Sequence, residues 1–300
     1  MRSFSFVILN FHTSEDTVKC IESILYVREH NVNVSIVIVD NGSTDTEIQL
    51  LKSYIGEIHG ASCILLEMHA NLGFSKANNI GYKYAKEHCS PDFIAISNSD
   101  IIIRQPDFFF TIFSLYDKEL FSILGPDIYV PRKKLHQSPV LGRRITEKKF
   151  VEKEIIKCKQ KIELLEKLKK SGKTKAIIDG RSISRIKNYL KNAMCTILHF
   201  GYRRQYTGEY IHGAFVVCAP PFIQKYDKCF EPEVFLYGEE DMLHYKCLIN
   251  NEKLLYSPKV RVLHFSGGTS SGKPDTNIDK QLFYWKNELK SKEVLYSQFK

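Results

Sequence analysis

The sequence predicts an α/β fold with a mostly parallel central sheet, helices on both faces and one inserted, basic helical hairpin. Three observations carry that reading. The first 126 residues alternate strand-like and helix-like patterns. One of the strands, Val34–Val39 (VSIVIV), is a continuous β-branched run, as expected of a parallel strand buried on both faces. Small polar clusters close four successive strands, where an open parallel sheet binds its ligands.

Taken in order, Phe4–Leu9 reads as the first strand. Thr13, with Asp16 three residues on, is the expected cap of a helix carrying Val18, Ile21 and Leu25 on one side. Val34–Val39 ends in the turn Asp40-Asn41-Gly42. Cys63–Leu66 is a third strand, Ser75–Glu87 a helix, Phe93–Ser97 a fourth strand and Phe121–Leu124 a fifth. The alternation then stops. Val151, Ile155, Cys158, Ile162 and Leu165 recur at helical spacing, and Ser171-Gly172-Lys173 marks a turn. Ile183, Ile186, Leu190, Met194 or Ala193, and Ile197 make a second amphipathic stretch, so 143–200 reads as a helical hairpin. Strand character returns at Ile211 and Ala214–Val217. Pro220-Pro221 reads as a break, Phe235–Gly238 as a strand-like run, Lys259–His264 as a last strand and 278–296 as a helix. The expected division is 1–130, an insert over 131–207, and 208–300.

Composition narrows the classes. Hydrophobic residues make up 43% and charged residues 26%, which excludes a disordered chain. No apolar run approaches the length of about 18 residues needed to span a membrane, so the expected location is the cytoplasm. The eight cysteines form no CxxC pair and no zinc spacing, and read as reduced thiols. The net charge of +9 is concentrated: residues 132–204 hold 22 Lys+Arg against 6 Asp+Glu, and the rest 21 against 28. Such a segment suits an anionic partner, a lipid surface first among them.

The candidate chemistry lies at the strand ends. Asn10, Asp40, Asn41 and Ser43 offer small polar groups to a nucleotide, with Asp40 placed to accept hydrogen bonds from a base or ribose. Asn71, Gly73 and Asn78 lie in NLGFSKANNIG, which has neither GxGxxG nor Walker A spacing and so supports neither a dinucleotide nor an ATP cradle. Asn98-Ser99-Asp100 follows an apolar strand, and a carboxylate there can hold a divalent cation that neutralises a diphosphate. Glu239-Glu240-Asp241 sets three carboxylates side by side. Their repulsion raises at least one pKa and favours a proton acceptor. His264, before a Gly/Ser loop, is a candidate ligand for metal or phosphate.

In combination, VILNFHTSEDTVKCIESI, IVIVDNGSTD, NLGFSKANNIGYKYA, ISNSD, HGAFVVCAP, FLYGEED and VLHFSGGTSSG resemble the family 2 glycosyltransferases, in particular the rhamnosyltransferase-like branch. The resemblance covers about 1–130 and 208–272 and leaves out the insert. It implies a GT-A fold, an αβα sandwich whose first half binds a nucleotide sugar and whose second half shapes the acceptor site. It puts nucleoside contacts on Asn10 and Asp40, the metal carboxylate on Asp100 with Asn98 opening the motif, and the late histidine on His264. The catalytic base falls on Glu240 or Asp241; counting from Phe235 favours Glu240. Mg²⁺ or Mn²⁺ is the implied cofactor and a UDP- or dTDP-sugar the implied donor. A glycan or lipid-linked glycan of cell-surface polysaccharide synthesis is the implied acceptor; the charge of the basic insert adds an expected peripheral contact with an anionic membrane at its inner face, and no nucleic acid is expected. The rival reading is a non-catalytic membrane- or nucleic-acid-binding protein acting through the basic insert; the intact carboxylates at 100 and 239–241 argue against it. A nucleotidyltransferase would carry a Gly-rich loop after the first strand, where this chain has Asn10–Ser14 without glycine.

Overall fold

The computed structural model describes residues 1–29, 31–141, 145–171, 199–265 and 277–299. The chain opens with β1 (Arg2–Asn10), α1 (Ser14–Tyr26), β2 (Val32–Asp40), α2 (Asp45–Gly56), β3 (Ser62–Glu67), α3 (Phe74–His88) and β4 (Phe93–Asn98). It continues with β5 (Ile101–Ile102), α4 (Phe108–Glu119), β6 (Ile123–Val130), β7 (Leu135–His136) and α5 (Lys148–Lys170). It closes with β8 (Tyr206–Thr207), β9 (Phe215–Cys218), α6 (Pro220–Lys225), α7 (Glu239–Ile249), β10 (Leu254–His264) and α8 (Ile278–Gln298).

All strands among the described residues join one sheet in the order β3-β2-β1-β4-β9-β6-β10-β5, with β7 beside β6 and β8 beside β10. β1, β2, β3 and β4 run parallel, as do β6 and β10; β9 enters antiparallel between β4 and β6. The expected parallel α/β architecture is therefore present, and the register decides where the polar strand ends meet. Asn10 pairs with Asp40, Leu9 with Asn98, and Ser97 with Phe215.

Alternation along β1 builds two apolar layers. Phe4, Phe6 and Ile8 face α1 and α4, where Phe93, Phe108, Phe109 and Phe215 complete an aromatic cluster. Val7 faces α3 and packs with Tyr82, Ile96, Val216 and Phe230. Each fully buried aromatic contributes about 2–3 kcal/mol by leaving water, so this strand fastens both helical layers.

The first arm of the expected hairpin is α5. It buries Val151, Cys158 and Leu165 as the periodicity requires. The second arm, with Ile183, Ile186, Leu190, Met194 and Ile197, lies outside the described residues. Among the described residues the partner of α5 is α8. The ion pairs Lys159–Glu293, Glu166–Lys286 and Lys169–Asp279 rise in number along α5 and fall along α8, so the two helices run antiparallel.

Some local expectations shift. Thr13 does not cap α1 with its side chain; its hydroxyl turns to Asn10 and Ser99 instead. Pro220-Pro221 opens α6 rather than ending structure, because proline lacks only an N–H that the first helical turn leaves unused. Residues 235–238 form no strand: Tyr237 and Gly238 both take positive φ and turn the chain into α7. The fifth strand starts later and runs further than Phe121–Leu124, at Ile123–Val130. The periodicity also left three helices unmarked, α2, α4 and α7. A capping box starts α2, with Thr44 and Glu47 satisfying each other's backbone N–H groups.

Candidate active site

The parallel register brings Asn10, Asp40, Asn41, Ser43, Asn71 and Gly73 into one hydrogen-bonded net. Asn10 Nδ2 donates to Asp40 Oδ1 at 2.7 Å and to Ser43 Oγ at 3.1 Å, while Asn10 Oδ1 accepts from the Thr17 hydroxyl at 2.8 Å. Asp40 Oδ2 accepts the Ser43 and Gly42 N–H groups at 3.0 and 3.2 Å. Both Asn10 and Asp40 are fully buried, so their side chains shape the Asp40–Ser43 loop from beneath. Asn41 continues the net outward. Its Oδ1 accepts the Leu72 N–H at 2.8 Å, and its Nδ2 donates to Asn71 Oδ1 at 2.9 Å, which also accepts the Gly73 N–H. Asn78 lies apart, buried within α3, where its Nδ2 donates to the Phe74 carbonyl. Its Oδ1 and the neighbouring Ser75 hydroxyl are buried without hydrogen-bond partners.

Gly73 is the seam between the two halves. At φ +80° it carries the loop so close to Phe235 that a Cβ would sit 2.4 Å from the Phe235 carbonyl oxygen. That oxygen accepts the Phe74 N–H at 2.6 Å. Asn79 adds a two-way clasp: Nδ2 donates to the Phe230 carbonyl, and Oδ1 accepts the Phe230 N–H. The segment leading to the acidic turn is thereby fixed on α3.

Asn98 ends β4, and its N–H donates to the Ala214 carbonyl at 2.9 Å, joining the turn to the entry of β9. Asp100 and His264 meet at the far side of this turn. His264 Nε2 stands 3.1 Å from Asp100 Oδ1, and the Phe265 N–H donates to the Asp100 carbonyl. Gln137 Oε1 lies 2.6 Å from His264 Nδ1 and, being an acceptor, holds the proton there. In the neutral imidazole the Nε2 lone pair then faces the carboxylate, an arrangement completed by a second proton or by a cation. One carboxylate oxygen and one imidazole nitrogen oriented by an outer hydrogen bond fit a divalent ion such as Mg²⁺ or Mn²⁺. Among the described residues no group of three or more His, Cys, Asp or Glu side chains is placed to hold a metal. Asp100 and His264 are the two side chains that would hold such an ion here. Asp100 also borders an open groove of about 730 Å³ running along α1 past Lys19, Tyr26 and Arg104, within the size range of small-molecule sites.

The three carboxylates of the acidic turn have three different environments. Asp241 is fully buried and forms an ion pair with Lys292 of α8, itself 2% exposed. Glu239 is buried; burial first, and the neighbouring Glu240 charge second, push its carboxyl well above the usual carboxylate range. Glu240 is half-buried and stands over the entry of β9, where a Cβ on Gly213 would lie 3.6 Å from Glu240 Oε2. The preceding residue, His212, places its ring 6.1 Å from that of His264, so β9 links the Glu240 side of the mouth to the Asp100–His264 side. Sequence reasoning passed over His212, although it directly precedes the glycine before a buried strand. It also passed over Lys292, which carries no local signal.

The model of the family described as "Glycosyl transferase family 2" matches residues 5–210. No curated protein matches the chain. Among solved structures, the chain is similar to GalNAc-T7 with UDP, GalNAc and Mn²⁺, at 13% identity and TM-score 0.54 over 88% of this chain and 44% of that one. It is also similar to the mannosyltransferase PcManGT of Pyrobaculum calidifontis in complex with GDP-Man and Mn²⁺, at 10% identity and TM-score 0.54 over 97% and 73%. TarS 1–349 of S. aureus matches at 17% identity and TM-score 0.35, over 48% of this chain; the chain spans 37% of that one. The fold is that of the GT-A glycosyltransferases, and with more than half of its length matched by the family model, the chain belongs to glycosyl transferase family 2.

Proposed function

We propose that the protein is an inverting glycosyltransferase that moves a sugar from a nucleotide diphosphate to a hydroxyl of a glycan or lipid-linked glycan. The observation that carries this is the separation of roles in the acidic turn. Asp241 is held by Lys292 and burial favours a neutral Glu239, while Glu240 stays accessible across β9 from the Asp100–His264 pair. Glu240 takes the proton of the acceptor hydroxyl, and that oxygen attacks the anomeric carbon opposite the diphosphate, inverting it. Proton removal of this kind lowers the barrier by about 10²–10⁴-fold in rate. A divalent cation held by Asp100 and His264 would neutralise the charge that gathers on the departing diphosphate. Asn10 and Asp40 act from beneath, holding the Asp40–Ser43 loop against the nucleoside, with Asn41, Asn71 and Gly73 at its rim.

The finer reading is a rhamnosyltransferase-like enzyme using a UDP- or dTDP-sugar in polysaccharide synthesis at the inner face of a membrane. No helix among the described residues is long and apolar enough to cross a membrane. The peripheral contact falls to α5, whose nine lysines outnumber its four glutamates and whose Ile156 and Leu164 are exposed. Each basic residue near an anionic surface contributes about 1 kcal/mol.

The test is thermal stabilisation by a panel of UDP-, dTDP- and GDP-sugars with Mn²⁺, followed by donor hydrolysis and transfer. A bound donor raises the melting temperature by mass action. A folded protein that none of these donors stabilises and that turns over none of them is not such an enzyme.

A further inference from the structure

We infer that Lys292, in α8, is a positioning residue for Glu240: its ammonium group holds the Asp241 carboxylate, and with it the first turn of α7, so that Glu240 keeps its place at the entry of β9. The inference rests on the glycosyltransferase reading above.

Three contiguous acids at the start of one helix repel one another and have no intrinsic reason to adopt three separate fates. The structure supplies the reason from outside the turn. Asp241 is completely buried, and a buried carboxylate without a partner is strongly destabilising. Its partner comes from 51 residues further along the chain. The same ammonium lies 3.0 Å from Glu288, one turn earlier on α8. The approach of the two helices is close: Gly238, at φ +84°, has no Cβ, and one placed there would meet the Ser291 Cβ at 3.0 Å. Lys292 directly follows the serine that faces Gly238, and its length is used to reach the turn.

The lysine is itself held in place. α8 lies against α5 through Leu165, Ile278 and Leu282, and further along through Val151 and Leu295. The Tyr296 hydroxyl donates to Glu152 at 2.6 Å. α5 therefore supports the helix that supports the acidic turn. Glu240 sits between two residues tied inward, Glu239 by burial and Asp241 by the ion pair, and a rotation of that turn would carry it off the β9 entry.

The experiment compares Lys292→Met, Lys292→Arg and the double variant Lys292→Met/Asp241→Asn in the full chain. It reads kcat per folded molecule, donor Kd, and hydrogen exchange of the backbone amides of 238–242. Lys292→Met is expected to lower kcat by about tenfold or more while donor Kd changes by less than about twofold. Lys292→Arg, which keeps the charge, should restore most of the loss. The double variant, which removes both charges together, should recover activity relative to Lys292→Met. If Lys292→Met fails to fold, the arginine and double variants still decide: each is expected to retain folding and measurable turnover. Wild-type kcat in folded Lys292→Met, or a folded double variant as inactive as a protein lacking Glu240, overturns the inference. If the wild-type protein turns over no donor, the proposed function falls, and exchange alone decides the positioning role. Faster exchange at 238–242 in Lys292→Met than in the wild type and the double variant supports it; equal exchange overturns it.

Discussion

The two sides of the proposed active-site mouth are built on different plans. On the proposed donor side, Asn10, Asp40 and Ser43 come from the ends of adjacent parallel strands and satisfy one another. On the proposed acceptor side, Glu239, Glu240 and Asp241 are adjacent in sequence and depend on a lysine from the last helix. The first arrangement follows from strand register, and any chain with these strands in this order places those residues together. The second requires that α7 and α8 be brought together by packing elsewhere. Neighbouring polar groups can thus be organised by backbone pairing or by a distant helix, and only the first leaves a trace in local sequence.

The sharpest way to break the comparison is at the point both sides share. Asp100→Ala removes the carboxylate that faces His264 and should reduce transfer by about 10³-fold or more, with loss of metal-dependent donor stabilisation. Turnover insensitive both to this change and to a chelator would take Asp100 out of the reaction.

Next in size is the acceptor side. Glu240→Gln keeps shape and removes the proton acceptor, so kcat should fall by about 10²-fold with donor affinity and melting temperature near wild type. Asp241→Asn should act mainly on stability, with a kcat loss no larger than that of Lys292→Met. It leaves a buried ammonium short of one partner and should cost about 3 kcal/mol of stability, measured by denaturant unfolding. A large kcat loss in folded Asp241→Asn with none in Glu240→Gln would move the base by one residue.

The donor side should respond through stability. Asp40→Ala removes one acceptor of the Asn10 amide and the side-chain acceptor of the Gly42 and Ser43 N–H groups, at an expected cost of about 2–3 kcal/mol in unfolding free energy. A smaller loss, with donor affinity abolished, would mean that Asp40 serves the nucleotide directly rather than the loop.

The smallest effect concerns Glu239. Its folded carboxyl titrates above its ordinary value of 4.5, so from that pH upward the native state holds a proton that the unfolded chain releases. Stability contributed by the neutral form is therefore present below about pH 4.5 and is lost as pH rises toward the raised folded value. Glu239→Gln should melt like the wild type at pH 4 and above it at pH 7. A constant difference at both values would show that burial of this carboxyl is not what sets it apart.

How much of this was legible beforehand follows the same division. Val34–Val39 announced a strand buried on both faces, and the alternation of strand and helix over the first 126 residues implied the parallel sheet. The polar strand ends were legible as a group. Their partners were not: Asp40 reads as an open acceptor in sequence, whereas the structure spends both its oxygens inward on Asn10, Gly42 and Ser43. Lys292 is one of several lysines in an amphipathic helix, and nothing local separates the one that is buried from those in solvent. The Phe235–Gly238 run looked strand-like because its composition is aromatic, but positive φ at Tyr237 and Gly238 is a backbone choice fixed by the seam at Gly73 and by Ser291.

The place of β9 in the sheet has a consequence for synthesis on the ribosome. β3, β2, β1 and β4 are complete once residue 98 has emerged and can pair in order as they appear. β6, finished by residue 130, has no neighbour in that block, because the strand between them is residues 215–218. At about 5–20 residues per second of elongation, the nascent chain holds an unfilled sheet edge at β4 for roughly ten seconds. During that interval the Asn10–Asp40 net can already form, while the Asn98–Asp100 turn still lacks the Ala214 carbonyl that anchors it.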